Sequence, residues 1–306
     1  MSILPHHKYL TRSPTHLSSY RDPCLLRTRL ICSAMKTANS KPKPTQLAME
    51  PKLVSTSNLV TPIGNPVLND PSLQSTWSHR ALVATGCTTV LISLAKAIVA
   101  AAGSDAWLQT MLAGYVGYLF ADLGSGVYHW GIDNYGDAST PIFGAQIDAF
   151  QGHHKWPWTI TRRQFANNLH ALAKVVALFV LPVDLFCNGP VIHGFVSVGA
   201  GCIMFSQQFH AWAHGTKSKL PPPVVALQDA GLLVSRSQHS AHHRQPYNNN
   251  YCIVSGVCNE FLDNQKVFEA LEMVLFFQLG VRPRSWSEPT SDWIEEVETS
   301  SHVTAQ

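Results

Sequence analysis

Histidines stand out in this sequence because they recur in short groups with regular spacing. Residues 238–251 (QHSAHHRQPYNNNY) contain three histidines in an H-x-x-H-H arrangement. Two further pairs occur in QGHHKWP and FHAWAHG, and in HWGID a histidine precedes an aspartate by four positions. The candidate metal-binding side chains in these four groups are His129, Asp133, His153, His154, His210, His214, His239, His242 and His243.

Helical spacing would bring the members of each group onto one face, since residues three or four apart are neighbours on a helix. Neutral imidazole is a good ligand for iron, copper, nickel and zinc. No cysteine occurs in any of the four groups, which argues against a structural zinc site. Eight histidines and one carboxylate are too many donors for one zinc ion. The pattern predicts a pair of metal ions, with no catalytic side chain separate from the ligands.

The composition is that of a membrane protein. Only 13% of the 306 residues are charged, against 45% that are hydrophobic, whereas charged residues make up about a quarter of a soluble chain. The net charge of +3 is too small to indicate nucleic-acid binding. The seven cysteines are scattered without a C-x-x-C pair, so no disulfide framework is expected.

Four apolar runs dominate the middle of the chain. A helix that spans a bilayer needs about twenty residues, and each run reaches or nearly reaches that length. They are 80–103, 106–128, 171–187 and 191–209, and the third is interrupted by Pro182. Turns at 103–105 and 188–190 would pair them into two hairpins. The polar segment 129–170 and everything after His210 would then share one side. We therefore expect an all-α integral membrane protein with about four transmembrane helices and the histidine-rich site at one membrane face.

The two ends of the chain differ from this middle. Residues 1–50 contain eight Lys/Arg, two acids and many hydroxyl groups, a composition typical of an organelle transit peptide; a disordered basic tail is the alternative. Residues 51–79 are rich in Pro, Ser, Thr and Asn and predict a disordered linker. The membrane domain would cover 80–286, followed by a solvated acidic tail at 287–306.

Three further features lie outside the histidine groups and the four apolar runs or interrupt them. Asp122 lies inside the second apolar run, where it either holds a ligand histidine or is a polar group at the membrane interface. Within 217–234 an apolar piece is too short to span and would lie on the surface. Residues 266–279 predict one amphipathic helix, with an apolar stripe formed by Phe268, Leu271, Leu275 and Leu279.

A dinuclear, histidine-rich site at a membrane face suits oxygen activation by iron, with an acyl chain reaching in from the bilayer as substrate. Cleavage of an unactivated C–H bond requires a cofactor, because side chains alone cannot perform it. No serine nucleophile elbow, P-loop or dinucleotide-binding glycine motif competes with this interpretation.

The segments QGHHKWPWTITRRQFANNLH, FSQQFHAWAHG and SRSQHSAHHRQPYNNNYCI resemble the plastidial phosphatidylglycerol desaturases, which are related to animal plasmanylethanolamine desaturase. The resemblance covers about residues 80–286. It implies that a trans double bond is placed near the carboxyl end of palmitate at the sn-2 position of phosphatidylglycerol. It also implies two iron ions held by the nine residues named above, O2 as co-substrate, ferredoxin as electron donor, and a multi-pass location in a thylakoid or inner envelope membrane.

Several alternatives stay open at this point. A lipid hydroxylase or oxygenase, or a plasmanyl-type lipid desaturase, would use the same scaffold. A non-enzymatic metal transporter would need ionisable groups along a path through the membrane, whereas these histidines collect at one face. A paralogue that has lost activity is a further possibility, although all nine ligand positions are filled. His170 lies near the same face outside the family's shared motif, and is a candidate for a group that supports the ligands.

Overall fold

The computed structural model describes residues 70–287. The predicted transit peptide, most of the linker and the acidic tail from residue 288 lie outside these residues. Regular structure between residues 70 and 287 is entirely helical, with ten α-helices, three short 3-10 turns and no strand. The all-α prediction is therefore confirmed, and the domain boundaries stay a prediction.

Four long helices form the bundle and six shorter helices accompany them. The long helices are α1 (Trp77–Ser104), α2 (Trp107–Asn134), α5 (Phe165–Phe186) and α6 (Pro190–His214). The shorter helices are α3 (Gly144–Lys155), α4 (Trp158–Arg162), α7 (Pro222–Asp229), α8 (Arg236–His242), α9 (Asn259–Asn264) and α10 (Val267–Leu279).

Three of the long helices are both long enough and apolar enough to cross a membrane: α1 with its preceding turn (Pro71–Ser104), α5 and α6. The α2 helix has 28 residues, but it carries two buried aspartates and several glycines and tyrosines, which lower its mean hydropathy. It nevertheless runs beside α6 along the length of the bundle, so the predicted number of about four holds as an approximation.

The contact between α2 and α6 depends on glycine. A Cβ atom at Gly117 would collide with the Phe195 carbonyl oxygen, and one at Gly194 would lie 2.6 Å from the Thr110 carbonyl oxygen. Small residues allow helix backbones to approach closely where no water drives the association. The close contact brings the C-terminal ends of α2 and α6, and hence their histidines, to the same face.

The polar segment 129–170, for which the sequence predicted no helix, is largely helical. It contains α3, α4 and the first residues of α5, and α5 continues through Pro182 as one helix. Short polar helices give no apolar run in the sequence; their order comes from a few buried side chains such as Ile147 and His153. Pro182 lies about one turn from the C-terminal end of α5, so only a few residues of the helix follow the backbone hydrogen bond that its missing N–H removes.

Neither interpretation of Asp122 is correct. Its carboxylate is fully buried and accepts hydrogen bonds from the backbone N–H groups of Ser255, Gly256 and Cys258, at 2.8, 2.9 and 3.0 Å. A buried carboxylate needs such donors to replace water. Asp122 therefore holds residues 255–258, which follow the H-x-x-H-H group, against the middle of α2.

The predicted helix at 266–279 is present as α10, but its buried face differs from the apolar stripe. Phe268 is buried, whereas Leu271 and Leu279 are 40% and 68% exposed. The other buried residue is Glu272, whose carboxylate accepts hydrogen bonds from the indole N–H groups of Trp130 and Trp286. In the predicted surface segment 217–234, the short helix α7 forms.

We expect Asp122→Asn to destabilise the fold by about 2–4 kcal/mol, since the amide removes the charge and one of the two acceptor oxygens. The measurement is the thermal unfolding midpoint of the purified protein in detergent, together with its metal content. Asp148→Asn is the matched control, because Asp148 is exposed on α3. Equal midpoints for the two variants would contradict the assigned role of Asp122.

The helix bundle also predicts which residues lie on each side of the membrane. Ser104, at the end of α1, and Ser139, between α2 and α3, are both exposed and lie at opposite ends of α2. In sealed vesicles, an impermeant maleimide should label Ser139→Cys from the side that holds the histidines, and Ser104→Cys only after permeabilisation. Labelling is measured as the increase over the parent protein, and labelling of both variants from one side would contradict a membrane-crossing α2.

Candidate metal centre

Four helices deliver the candidate ligands. His129 and Asp133 lie on the last turns of α2, His210 and His214 on the last turns of α6, His153 and His154 at the end of α3, and the H-x-x-H-H group on α8 and its C-cap. The one-turn spacing within α2 and α6 places both members of each pair on one face.

The short helix α8 is held at both its start and its side. Ser235 and Gln238 form a reciprocal capping box at its N-terminus. The N–H of Val234 donates to the Val254 carbonyl, and the Gln238 amide donates to the Gly256 carbonyl. Because Asp122 binds the N–H of Gly256, the position of α8 is set from the middle of α2.

The nine side chains form two adjoining groups. The pentahistidine group contains His153, His210, His214, His239 and His243; the aspartate group contains His129, Asp133, His154 and His242. Within each group, one ligand atom per residue lies within 4.8 Å of every other. Every site residue predicted from the sequence is therefore present in one of the two groups; that they bind metal stays a prediction.

In the pentahistidine group the Nε2 atoms point at one another. The His239–His214 distance is 2.7 Å and the His153–His214 distance is 2.8 Å. The other close Nε2 pairs are His153–His210 and His243–His239, both at 3.1 Å, and His210–His214 at 3.3 Å. Metal–imidazole bonds are about 2.1 Å long, so two nitrogens at a right angle around one ion lie roughly 3.0 Å apart. The observed spacing fits a shared cation.

The aspartate group has the same spacing around a carboxylate. The Asp133 Oδ2 atom lies 2.9 Å from the Nε2 of His154, 3.2 Å from that of His129 and 3.3 Å from that of His242. Asp133 Oδ1 has no hydrogen-bond partner among the described residues although it is buried. A buried carboxylate of this kind requires a compensating charge, and a metal ion bound by these donors provides one.

Adjacent histidines contribute to different groups. His153 belongs to the pentahistidine group and His154 to the aspartate group. In the second pair the order along the chain is reversed, with His242 in the aspartate group and His243 in the pentahistidine group. Consecutive side chains on a helix point about 100° apart, because the helix has 3.6 residues per turn. A doubled histidine can therefore serve two neighbouring ions, and this signal is present in the sequence although it does not assign each residue to an ion.

Two ligands on the short helices, His153 and His242, have lowered pKa values. Burial, followed by the electrostatic effect of His214, lowers the pKa of His153 to about 2. Burial and the nearby His129 lower the pKa of His242 to about 4, against the raising effect of Asp133. Both imidazoles are thus unprotonated at physiological pH and keep a lone pair for a metal ion.

Two backbone carbonyls orient ligands, and these were not identified from the sequence. The Nδ1 of His129 lies 2.9 Å from the Tyr251 carbonyl oxygen, and the Nδ1 of His242 lies 2.7 Å from that of Asn249. A carbonyl acceptor fixes the proton on Nδ1 and leaves Nε2 free to bind a metal. The sequence signal is the NNNY segment at 248–251, shortly after the H-x-x-H-H group.

His170 belongs to neither group. Its ring stacks on that of His79 with centroids 3.9 Å apart, and its Nδ1 lies 2.7 Å from the Asn167 carbonyl oxygen. It lines a cavity of about 270 Å³ that also reaches His153 and His210. His170 thus borders the approach to the pentahistidine group and contacts none of its ligands directly.

Comparison with known proteins agrees with this site. Residues 118–286 match the model of the lipid desaturase domain family. The chain is 59% identical to fatty acid desaturase 4, chloroplastic, of Arabidopsis thaliana, covering 96% of this chain and 97% of that protein. It is 32% identical to plasmanylethanolamine desaturase 1 of Mus musculus over 55% of this chain and 66% of that one. No solved structure matches.

Metal content tests whether the two groups bind separate ions. His243→Ala removes a pentahistidine ligand and His242→Ala an aspartate-group ligand, so each should lower the metal-to-protein ratio toward half while the other group keeps its ion. Mutation of a residue that only orients a ligand typically lowers metal affinity or activity by about 10–100-fold. Removal of a ligand should therefore lower metal affinity by more. The measurement is metal per purified, membrane-inserted protein. An unchanged ratio in both variants would contradict the two-ion arrangement.

Proposed function

The chain belongs to the lipid desaturase family and is a membrane-bound lipid desaturase, and we propose that it places a trans double bond near the carboxyl end of palmitate at the sn-2 position of chloroplast phosphatidylglycerol. The observation that carries the proposal is the pair of adjoining ligand groups at one end of an apolar helix bundle. The 59% identity over nearly the full length of a chloroplastic fatty acid desaturase supports the choice of substrate.

The proposed cofactor is two iron ions, one held by the pentahistidine group and one by the aspartate group, with O2 as co-substrate. Bound iron supplies the oxygen activation needed to remove hydrogen from an unactivated C–H bond. The donor set fits, since eight imidazoles and one carboxylate are donors that suit a transition metal.

The protein's own side chains bind, orient and exclude water. The carbonyls of Tyr251 and Asn249 hold the protons of two ligand imidazoles on Nδ1. Seven of the nine ligands are buried, whereas His214 and His243 are only partly buried. Burial limits the access of water to the ligands, and we propose that electrons enter beside the partly buried pair.

We further propose ferredoxin as the electron donor and a chloroplast membrane, thylakoid or inner envelope, as the location. The basic, acid-poor first 50 residues and the chloroplastic names of the relatives support this location. A hydroxylase on the same scaffold would share the first C–H abstraction and differ in product. For a metal transporter, ligands would be expected along the bundle, whereas those described here gather at its end.

Lipid analysis tests the reaction. In a host that supplies palmitoyl-phosphatidylglycerol and ferredoxin, expression of the chain should produce trans-unsaturated palmitate at sn-2 of phosphatidylglycerol. Asp133→Asn should abolish this product, because the amide keeps the size and loses the charge that the aspartate group requires. His302→Ala, outside the described residues, is the control and should retain full activity.

The product also separates the alternatives. A hydroxylated palmitate would identify an oxygenase, and a vinyl-ether lipid would identify a plasmanyl-type desaturase. Full activity of Asp133→Asn at normal protein level would contradict its role as a ligand.

A further inference from the structure

The cavity beside the pentahistidine group is lined mainly by residues of α3, α4, α5 and α6, together with Tyr128 of α2. Two of its lining residues, His153 and His210, are candidate metal ligands. A molecule in this cavity would therefore contact the metal centre directly. The volume of about 270 Å³ is enough for a polar headgroup and the first part of a chain, and too small for a whole lipid.

Arg163 is the one arginine or lysine among the residues that line this cavity, and no aspartate or glutamate lines it. Arg163 makes no ion pair with the described residues. Although the residue as a whole is exposed, desolvation lowers the pKa of its guanidinium, as expected for a charge that faces protein atoms. The cavity thus presents an uncompensated positive charge.

The remaining walls are of two kinds. Asn168 and Gln207 add amide groups on the side of α5 and α6. Phe150, Ile160 and Leu172 add apolar surface. A ligand with an anionic group, ester oxygens and the start of a hydrocarbon chain would match all three chemistries.

We propose that this cavity binds the phosphodiester and sn-2 ester of an anionic glycerophospholipid, with Arg163 paired to the phosphate. This inference rests on the proposed function, since oxidation near the carboxyl end of the chain requires the ester and headgroup to lie close to the metal centre. Arginine suits the role because its planar guanidinium binds phosphate oxygens in pairs. Arg163 selects the substrate by charge and fixes the distance between phosphate and ligand histidines.

The neighbouring residue provides a matched control. Arg162 is also exposed, but its guanidinium lies 4.9 Å from the centroid of the Trp158 ring, and it does not line the cavity. Arg163→Gln and Arg162→Gln remove the same charge one position apart. Arg163→Lys keeps the charge without the paired geometry.

The experiment uses the full-length, metal-loaded protein in nanodiscs, with two substrates that carry the same sn-2 palmitate: phosphatidylglycerol and an uncharged galactolipid. Arg163→Gln should raise the KM for phosphatidylglycerol by roughly tenfold or more, leave kcat nearly unchanged and leave turnover of the galactolipid unaltered. Arg163→Lys should be intermediate, and Arg162→Gln should match the unsubstituted protein.

A second measurement needs no turnover. Native mass spectrometry of purified protein should show retained phosphatidylglycerol in the unsubstituted protein and in Arg162→Gln, and much less in Arg163→Gln. Inorganic phosphate at millimolar concentration should not displace the lipid. Displacement by phosphate alone would overturn the assignment to a lipid headgroup.

Equal KM values and equal lipid retention for Arg163→Gln and Arg162→Gln would overturn the inference while leaving the desaturase proposal standing. Conversely, lipid retention that depends on Arg163 in a protein that forms no trans-unsaturated palmitate would contradict the proposed reaction and support the headgroup site.

Discussion

The structure depends on the convergence of imidazole nitrogens toward two points. Neutral imidazoles whose lone pairs face one another inside a protein repel unless a cation lies between them. The ligand-bearing ends of α2, α3, α6 and α8 must therefore lie close together, and other contacts must hold each helix in position. The glycine contact of α2 with α6 aligns two of them, and the bond from Asp122 to the chain at 255–258 aligns α8. Rigid support of this kind keeps ligands in place before a metal arrives.

The sequence predicts the ligands better than it predicts their support. Spacing of three or four residues is a local property, so His210 with His214 and His129 with Asp133 could be paired without a structure. Asp122 accepts a hydrogen bond from Cys258, which is 136 positions away in the sequence. Glu272 accepts one from Trp130, which is 142 positions away. No local pattern carries that information. The polar helix α3 was missed for a related reason, since it forms around buried histidines rather than an apolar stripe.

The two ligand groups are chemically unequal. Five imidazoles surround one position, and three imidazoles with a carboxylate surround the other. A carboxylate lowers the net charge of its metal site and stabilises the more oxidised ion, so two ions of one element would differ in redox behaviour. The partly buried His214 and His243 both belong to the all-histidine position. An ion bound at this position would lie nearer to solvent and would have no negatively charged ligand.

The division of neighbouring histidines between two centres limits how the chain can vary in length. Inserting one residue between His239 and His243, or displacing the end of α3 by one position, would turn each side chain by about 100° and exchange or misdirect the ligands of both centres at once. The largely exposed connection at 216–221 lies between α6 and α8, which carry ligands, and contains no ligand itself. Tolerated insertions and deletions should therefore occur in the connections between helices. The spacing of the histidines within α3 and within the H-x-x-H-H group should not change in length.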